Sequence, residues 1–554
     1  MLDSLYGRGE ALSSVAFASG STLEIRCRNC AAHLAAILLA SFAISAMAQK
    51  AGGTLRVPLI DTPPSASLLE EGTINTITPF MPVFNNLVMY DQQDEMARLE
   101  SIKPDLATSW SWSADNTVLT MKLREGVRWH DGKPFTSTDV QCTWDMILEK
   151  RPSNWRKNPY KEWYTNLREV AVLGPHEVRF VLERPQPSFL SFLASGWSAV
   201  YPCHVDGRVM RQKPIGTGPF KVVEFKPGDS VRLVKNTEYW KPGRPYLDGI
   251  VYRVMPSTAT RLLSFVSGQV DMTGNATVTP HTIKDVYAQV PRAVCPTTGT
   301  MVAAVVYMNQ KVPPFDNAKV RRAISLALDR DAFIASRQGE ARLGGTMMSP
   351  PYGAWGLTPA QLEAMPGFGK DVERNRAEAR KLMEEAGYGP NKKLKVTFMV
   401  RILTPFHTAG VTFTQEQLRH IYIEGEIEQK EFSVFTGVML KGAYTMAFDF
   451  TAGASDDPDV LLYDRFRCNA LRNFTRYCNR EVDARIDEQS ATVDPVKRRQ
   501  LVQALDLFLQ QEVPRATVYH TTSTVCWHPY VKGYVRAKNG QYTHHRMEDV
   551  WLDK

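Results

Sequence analysis

The sequence predicts a mixed α/β protein with two or more lobes, and three observations support this prediction. The chain has 554 residues, more than one ordinary core accommodates, and its 44% hydrophobic and 22% charged residues are typical of a globular protein. Short strands, turns and a few helices alternate over the first 300 residues, whereas helices become denser from about residue 316. No repeat or low-complexity linker separates the two parts, so we expect several chain crossings between lobes.

The N-terminal segment predicts export. Arg26 lies just before an apolar run, Leu34–Ile44, and Ala46–Ala48 follows with the small-x-small pattern of a signal-peptidase site. The run is shorter than the ~20 residues that cross a bilayer core, which disfavours a membrane anchor. We expect residues 1–48 to be a signal peptide with an N-terminal extension, and the mature protein to begin near Gln49 in the periplasm.

Local patterns place the first elements of the mature chain. Residues 52–57 read as a strand, and Thr117–Leu123 alternates between apolar and polar residues as a second strand does. Thr136 and Asp139 have the spacing of a capping box, which predicts a helix that begins near Ser137.

Three helices are predicted later in the chain. Asp316 is predicted to cap the first, Ala377–Ala386 forms the second, which Gly387 ends, and Asp494 with Pro495 begins the third. The third helix has an apolar stripe that is typical of a core face, formed by Leu501, Leu505, Phe508 and Leu509.

Composition and motifs argue against nucleic-acid binding and catalysis. The net charge is +8, but no block of five or more like charges occurs, which indicates a solvated basic surface. The HExxH, GxSxG and phosphate-loop patterns are absent. His130 beside Asp131 has no nucleophile nearby in sequence, so we interpret the pair as part of a turn. The chain is therefore predicted not to be an enzyme, and no cofactor is expected.

Six cysteines remain after removal of the signal peptide. Cys468 and Cys478 lie close together in a loop-like segment, and a disulfide there would stabilise the fold by roughly 3 kcal/mol. The mature chain has no Cys-x-x-Cys motif, which disfavours a zinc site. The pairing of the other four is left open by the sequence: Cys142, Cys203, Cys295 and Cys526.

Five segments, in order, resemble the extracellular solute-binding proteins of family 5, which serve bacterial ABC importers and include dipeptide-, oligopeptide- and nickel-binding members. These segments are Lys103–Ile147, Pro214–Phe220 with its Gly-Thr-Gly-Pro turn, Ser257–Met272, Val306–Arg330, and Asp457–Asp487 with its cysteine pair.

The resemblance implies an α/β fold of the two-lobed periplasmic-binding-protein type, with mixed sheets, an enlarged first lobe and a hinge. It places the first lobe at residues 49–298 and 521–554 and the second at 299–520. A monomer would enclose a peptide or another small polar organic solute and deliver it to a membrane permease and its ATPase. The alternatives are a periplasmic sensor or chaperone of the same fold and, less favoured, a nickel-complex binder.

The resemblance also places candidate ligand-binding residues. In peptide binders an acidic residue three positions before the Asp-Pro-Asp signature holds the ammonium group of the ligand, and this register places Ala454 there. Asp456 and Asp457 are the candidate replacements, although both are also positioned to cap the helix that follows Pro458. Arg401 is the candidate partner for a ligand carboxylate.

Aromatic residues and histidines provide weaker candidates. Tyr307, Phe448 and Phe450 lie in segments that the family places near the cleft, where aromatic faces suit sugars or apolar side chains, although core packing is the more common role. A metal role could involve His544 and His545 or other histidines, but adjacent residues rarely converge on one ion without further ligands, so no metal site is predicted.

Overall fold

The computed structural model describes residues 49–150, 154–402, 405–453, 455–540 and 542–554. The predicted signal peptide and Ala454 lie outside these residues. Residues 50–554 form one compact unit. Within the described ranges, no helix combines the length and apolar character needed to cross a membrane.

The described residues contain three sheets of four or more strands and two short strand pairs. In chain order they are β1 Thr54–Leu59, β2 Val88–Tyr90, β3 Ile102–Pro104, β4 Ala107–Trp112, β5 Val118–Leu123, β6 Leu167–Gly174, β7 Glu177–Leu182, β8 Phe220–Lys226, β9 Ser230–Lys235, β10 Gly249–Val254, β11 Thr297–Met308, β12 Ala341–Arg342, β13 Leu394–Arg401, β14 Ile423–Lys430, β15 Met446–Ala452, β16 Arg515–Thr524, β17 Val531–Lys532 and β18 Trp551–Leu552.

Most of the long helices follow β11, as the sequence predicts. In chain order the α-helices are α1 Ile74–Phe80, α2 Ser137–Ile147, α3 Phe189–Ala194, α4 Gly207–Gln212, α5 Thr258–Val266, α6 Ile283–Gln289, α7 Ala318–Ala327, α8 Arg330–Ser336, α9 Pro359–Glu363, α10 Val372–Glu385, α11 Pro405–Arg419, α12 Phe432–Lys441, α13 Asp459–Arg465, α14 Arg480–Ala491 and α15 Pro495–Glu512.

Three sheets of four or more strands organise the fold. Two four-stranded sheets, β1-β10-β9-β8 and β4-β5-β7-β6, lie in the predicted first lobe. The third has six strands in the order β12-β16-β11-β15-β13-β14 and combines parallel and antiparallel pairs. Its central strand β11 is buried along nearly its whole length, as expected for a strand with neighbours on both edges and cover on both faces. The predicted lobe boundaries at 298/299 and 520/521 fall within β11 and β16, which pair with each other.

Most local predictions are confirmed. The Thr136 and Asp139 capping box begins α2 at Ser137, and the pattern at 117–123 forms β5. Asp494 accepts a hydrogen bond from the Lys497 amide at the start of α15. The first strand is shifted by two residues and begins at 54. The second predicted helix is longer than predicted and begins at 372 as α10.

The predicted cap at Asp316 is wrong. Helix α7 begins one residue later, because the side chain of Asn317 accepts a hydrogen bond from the Lys319 amide at 2.9 Å. Aspartate and asparagine both cap helix starts well. The sequence therefore does not show whether Asp316 or Asn317 is the capping residue.

The Gly-Thr-Gly-Pro segment forms a tight turn, as predicted. A Cβ on Gly216 would lie 1.9 Å from the carbonyl oxygen of Val83, so no larger residue fits there. His130 contacts the same turn through the Gly218 carbonyl oxygen at 3.0 Å, and burial lowers the pKa of its imidazole to about 4. Its role is therefore structural, as the sequence indicates.

Three disulfides connect the six mature cysteines. The predicted Cys468–Cys478 bond is present and closes a short loop after α13. The pairings that the sequence leaves open are Cys142–Cys203, which attaches α2 to the segment after α3, and Cys295–Cys526, which joins the beginning of β11 to the end of β16.

Candidate functional site

The candidate site begins on one face of the six-stranded sheet. Tyr307 of β11 pairs directly with Arg515 of β16, and Ala303 of β11 pairs with Thr451 of β15. Directly paired residues in an antiparallel sheet point to the same face, and successive odd positions of β11 share that face. Tyr307, Thr451 and Arg515 therefore lie together, and Arg515 Nη1 lies 3.4 Å from Thr451 Oγ1.

Helix α13 and the loop after it add two cations and one carboxylate. Asp464 is 1% exposed and contacts Arg465 Nε at 3.1 Å and Arg472 Nη1 at 3.3 Å. Arg465 lies over Phe474, whose ring contacts the edge of Tyr307 at 5.9 Å. The sheet face and the α13 loop thus form one cluster of charged and aromatic side chains.

Aromatic residues of the predicted first lobe close this cluster from the other side. The Arg472 guanidinium lies 5.2 Å from the centre of the Tyr160 ring. Tyr160 stacks on Trp197, with ring centres 5.2 Å apart, and Trp197 contacts Tyr542. The cluster therefore lies where the two predicted lobes meet. We call these residues the arginine cluster: Arg465, Arg472 and Arg515 with Asp464.

Hydrogen bonds near the cluster hold the predicted lobes against each other. Trp163 Nε1 donates to the carbonyl oxygen of Val460 at 3.3 Å, and Ser188 Oγ donates to Asp459 at 2.5 Å. Arg184 forms an ion pair with Asp487. Side chains from both predicted lobes also share the largest apolar core, so the predicted lobes are in close contact around the cluster.

Arg515 is buried with only part of its guanidinium group engaged. The residue is 5% exposed and its guanidinium lies over the Phe466 ring at 4.6 Å. Nε and Nη2 have no hydrogen-bond partner among the described residues. Burial lowers the pKa of Arg515 to about 10, although the nearby Tyr307 raises it.

The two predicted aspartates have different environments. Asp457 forms a two-pronged ion pair with Arg498, at 2.9 and 3.0 Å, and also accepts the Asp459 amide at the start of α13. Asp457 therefore binds the first amide of α13, although the cap position itself is occupied by Pro458. Asp456 instead accepts the amide of Ala354 through Oδ2.

Asp456 forms no salt bridge among the described residues. It is 3% exposed, its Oδ2 accepts the Ala354 amide, and the Asn539 side chain also acts on the carboxyl as a hydrogen-bond donor. Burial, with the nearby charge of Asp457 adding to it, raises the pKa of the Asp456 carboxyl to about 8. Asp456 is consequently neutral over much of the physiological pH range.

Arg401 lies in a buried polar group of its own. Its Nε is 2.7 Å from Asp449 and 3.1 Å from His407 Nε2. Burial opposes ionisation of Asp449, but Arg401 and His407 outweigh it and lower the pKa of this carboxyl. Asp449 therefore already neutralises the predicted carboxylate partner.

The structure does not bring all the predicted aromatic residues together. Tyr307 lies on the face of the arginine cluster, whereas Phe448 and Phe450 point to the opposite face of β15 and pack in a separate core. Phe450 contacts His407 at 4.7 Å and Phe448 at 5.9 Å.

The side chain of His544, one of the two adjacent histidines, is held by hydrogen bonds within the protein. Both ring nitrogens of His544 have partners, the hydroxyl of Thr543 and the carbonyl oxygen of Asp94, each at 2.8 Å. No group of three or more metal-ligating side chains converges within the described part of the chain.

The arginine cluster was not predicted from the sequence. Its one available signal was Arg515 at the start of a run with strand propensity, Thr517–Tyr519, where a charged residue can be buried. Arg465 and Arg472 lie in a stretch rich in arginine that reads as a solvated loop.

Comparison with known proteins identifies the family. The model of the bacterial extracellular solute-binding proteins, family 5, matches residues 101–473. Di/tripeptide-binding protein 1 of Pseudomonas aeruginosa is 24% identical over 472 residues, covering 79% of this chain and 83% of that protein. Heme-binding protein A of Haemophilus influenzae is 25% identical over 515 residues, covering 88% of this chain and 90% of that protein.

A solved structure has the same fold. The periplasmic binding protein DppA from Helicobacter pylori, in complex with the peptide STSA, superimposes with a TM-score of 0.78 at 23% identity, covering 91% of this chain and 99% of that one. The mixed α/β architecture is that of the two-lobed periplasmic binding proteins. Since the family model spans well over half of the sequence, the chain belongs to the bacterial extracellular solute-binding proteins of family 5.

Proposed function

We propose that this protein is the periplasmic binding component of an ABC importer. It encloses a peptide or another small polar organic solute between its two lobes and delivers it to a membrane permease. One observation supports this most strongly: buried polar atoms of Arg515 and Asp464 lack hydrogen-bond partners among the described residues, at the place where the predicted lobes meet. Buried polar groups are normally paired, so such atoms indicate where a ligand binds.

Ligand-driven closure follows from the arrangement. A solute that contacts only one lobe has equal affinity for the open and closed states, so it does not change the equilibrium between them. A solute that contacts both Arg515 and the aromatic residues around Tyr160 has more contacts in the closed state and therefore stabilises it. The permease then receives the closed form.

The anchor for a free amino terminus differs from that of ordinary peptide binders. Ala454 at the expected anchor position offers a methyl group, and an unpaired buried ammonium ion costs several kcal/mol. Asp456 is the better replacement than Asp457, because Asp456 forms no salt bridge among the described residues while Asp457 is held by Arg498. Either Asp456 accepts the ammonium group or the ligand has none.

The test is calorimetry with free dipeptides and tripeptides and with their N-acetylated forms. If Asp456 is the anchor, Asp456→Asn should lose the preference for free peptides. Asp457→Asn is the matched control, which should reduce thermal stability and leave the preference intact. Tight binding of free peptides that acetylation abolishes and Asp456→Asn does not change would place the anchor elsewhere.

Native mass spectrometry of protein purified from its host tests the broader function. A small organic solute should copurify, because a closed lobe pair releases its ligand slowly. Absence of any bound solute, together with no thermal shift from peptides, sugars or organic acids, would contradict the binding role.

A further inference from the structure

The arginine cluster contains more positive than negative charge. Three guanidinium groups surround the single carboxylate of Asp464, which receives two of them. The next carboxyl in electrostatic contact with Asp464 is Glu162, which is half-buried and also near Lys161 and Arg467. Arg467 itself is bound to Asp487. Asp464 also attracts Arg515, but its close contacts are to Arg465 and Arg472, so Arg515 has no carboxylate within ion-pair distance among the described residues.

Arg515 differs from a buried arginine with a structural role. Arg330 is equally buried, but all three of its guanidinium nitrogens donate hydrogen bonds, to three carbonyl oxygens and one serine hydroxyl. Arg515 Nε and Nη2 make no direct hydrogen bond among the described residues, and the Tyr307 hydroxyl is the nearby polar side chain that acts on the guanidinium. These two nitrogens form one edge of the guanidinium fork, the edge that binds a carboxylate or phosphate through two parallel hydrogen bonds.

We infer that the enclosed site takes an acidic solute, whose carboxylate or phosphate oxygens bind the Nε–Nη2 edge of Arg515. This inference rests on the proposed solute-binding function and names the class of its ligand. Arg465 and Arg472 flank that position and add attraction, because Asp464 neutralises only one of them. The low dielectric of the enclosed site strengthens each of these interactions.

The surroundings also define the orientation of the ligand. Phe466 supports one face of the Arg515 guanidinium and fixes its plane, so the open edge has one direction. Tyr307 is paired with Arg515 across the sheet and Tyr160 lies beside Arg472, so both rings are placed to contact the less polar part of a small solute. The acidic group therefore lies toward the sheet and the rest of the solute toward the predicted first lobe.

The experiment compares acidic probes with neutral partners of nearly the same shape. Suitable pairs are glutarate and glutaramide, N-acetylalanine and its amide, N-acetyl-Ala-Ala and its C-terminal amide, and glucose 6-phosphate and glucose. Calorimetry on ligand-stripped mature protein should show at least one pair in which the acidic member binds at least 100-fold more tightly than its neutral partner. The first three pairs report a carboxylate and the last a phosphate.

Substitution of Arg515 tests the assignment to this residue. Arg515→Met should reduce the affinity of the acidic member 100-fold or more and leave the neutral member within about threefold. Ligand-free Arg515→Met should melt at or above the wild-type temperature, since the substitution removes an unpaired buried charge. Arg515→Lys keeps the charge and removes the fork, so it should retain an intermediate affinity. Arg419→Met, an exposed site with the same change in net charge, is the control.

Three results would overturn the inference: equal binding of the two members in every pair, an acid preference that survives Arg515→Met, or a neutral solute that copurifies with the protein. Tight binding of neutral solutes with a thermal shift would leave the importer function standing and reject only the acidic ligand. Absence of binding by every probe, together with no copurified solute, would contradict both.

Discussion

The ion pair between Asp457 and Arg498 offers the sharpest test of the fold around the site. Arg498 is 4% exposed in its side chain and lies 2.9 Å from Asp457 and 3.4 Å from the fully buried Asp459. Replacing it by methionine leaves two buried carboxylates without their cation. Removing one partner of a buried pair costs about 3–5 kcal/mol, because the remaining charge is uncompensated.

The expected change in melting temperature follows from the size of the protein. Unfolding entropy of ~2.1 cal/mol/K per residue, over roughly 500 residues, is ~1 kcal/mol/K. Arg498→Met should therefore lower the melting temperature by about 3–5 °C at pH 8. The matched control Arg419→Met breaks an exposed pair with Glu416 and should change it by less than about 1 °C.

The pH dependence of this loss has a definite sign. Burial already raises the pKa of Asp457, although Arg498 opposes it, so removal of Arg498 raises this pKa further. A carboxyl with a raised pKa in the folded state destabilises the fold as pH rises toward that pKa, and protonation relieves the penalty. Scanning calorimetry should therefore show a smaller loss at pH 5 than at pH 8. No loss at pH 8, or a larger loss at pH 5, would refute the reasoning.

The remaining predictions concern the disulfides, the signal peptide and one carboxyl group. The double substitution Cys468→Ser and Cys478→Ser should lower the unfolding free energy by about 3 kcal/mol in a reversible denaturant titration. An unchanged unfolding midpoint would contradict a stabilising role of this disulfide. Edman sequencing of the periplasmic protein should begin at Gln49, and a start upstream of the apolar run would exclude the predicted cleavage. The pKa of Asp456 is raised to about 8, so its contribution to stability declines from about pH 4 and is lost above pH 8. Asp456→Asn should flatten that decline in melting curves, and an identical pH profile would show that Asp456 does not titrate in this range.

Local structure and family were predictable because their causes lie close together in the sequence. The capping box of α2, the proline start of α15 and the Cys468–Cys478 loop each depend on residues no more than about ten positions apart. The five ordered segments likewise identified the family and with it the two-lobed fold. Where two neighbouring residues had the same chemistry, as at Asp316 and Asn317, sequence alone selected the wrong one.

The tertiary structure decided which buried charges have partners. Cys295 and Cys526 pair across 231 positions, and no spacing rule predicts such a contact. Asp457 and Asp456 are adjacent, yet Arg498 on α15 reaches only the first of them. Arg515 joins Arg465 and Arg472 because β16 pairs with β11 and brings it beside the loop after α13. Whether a charged residue is solvated or buried beside a ligand depends on such long-range packing, so the candidate site became visible only in the folded chain.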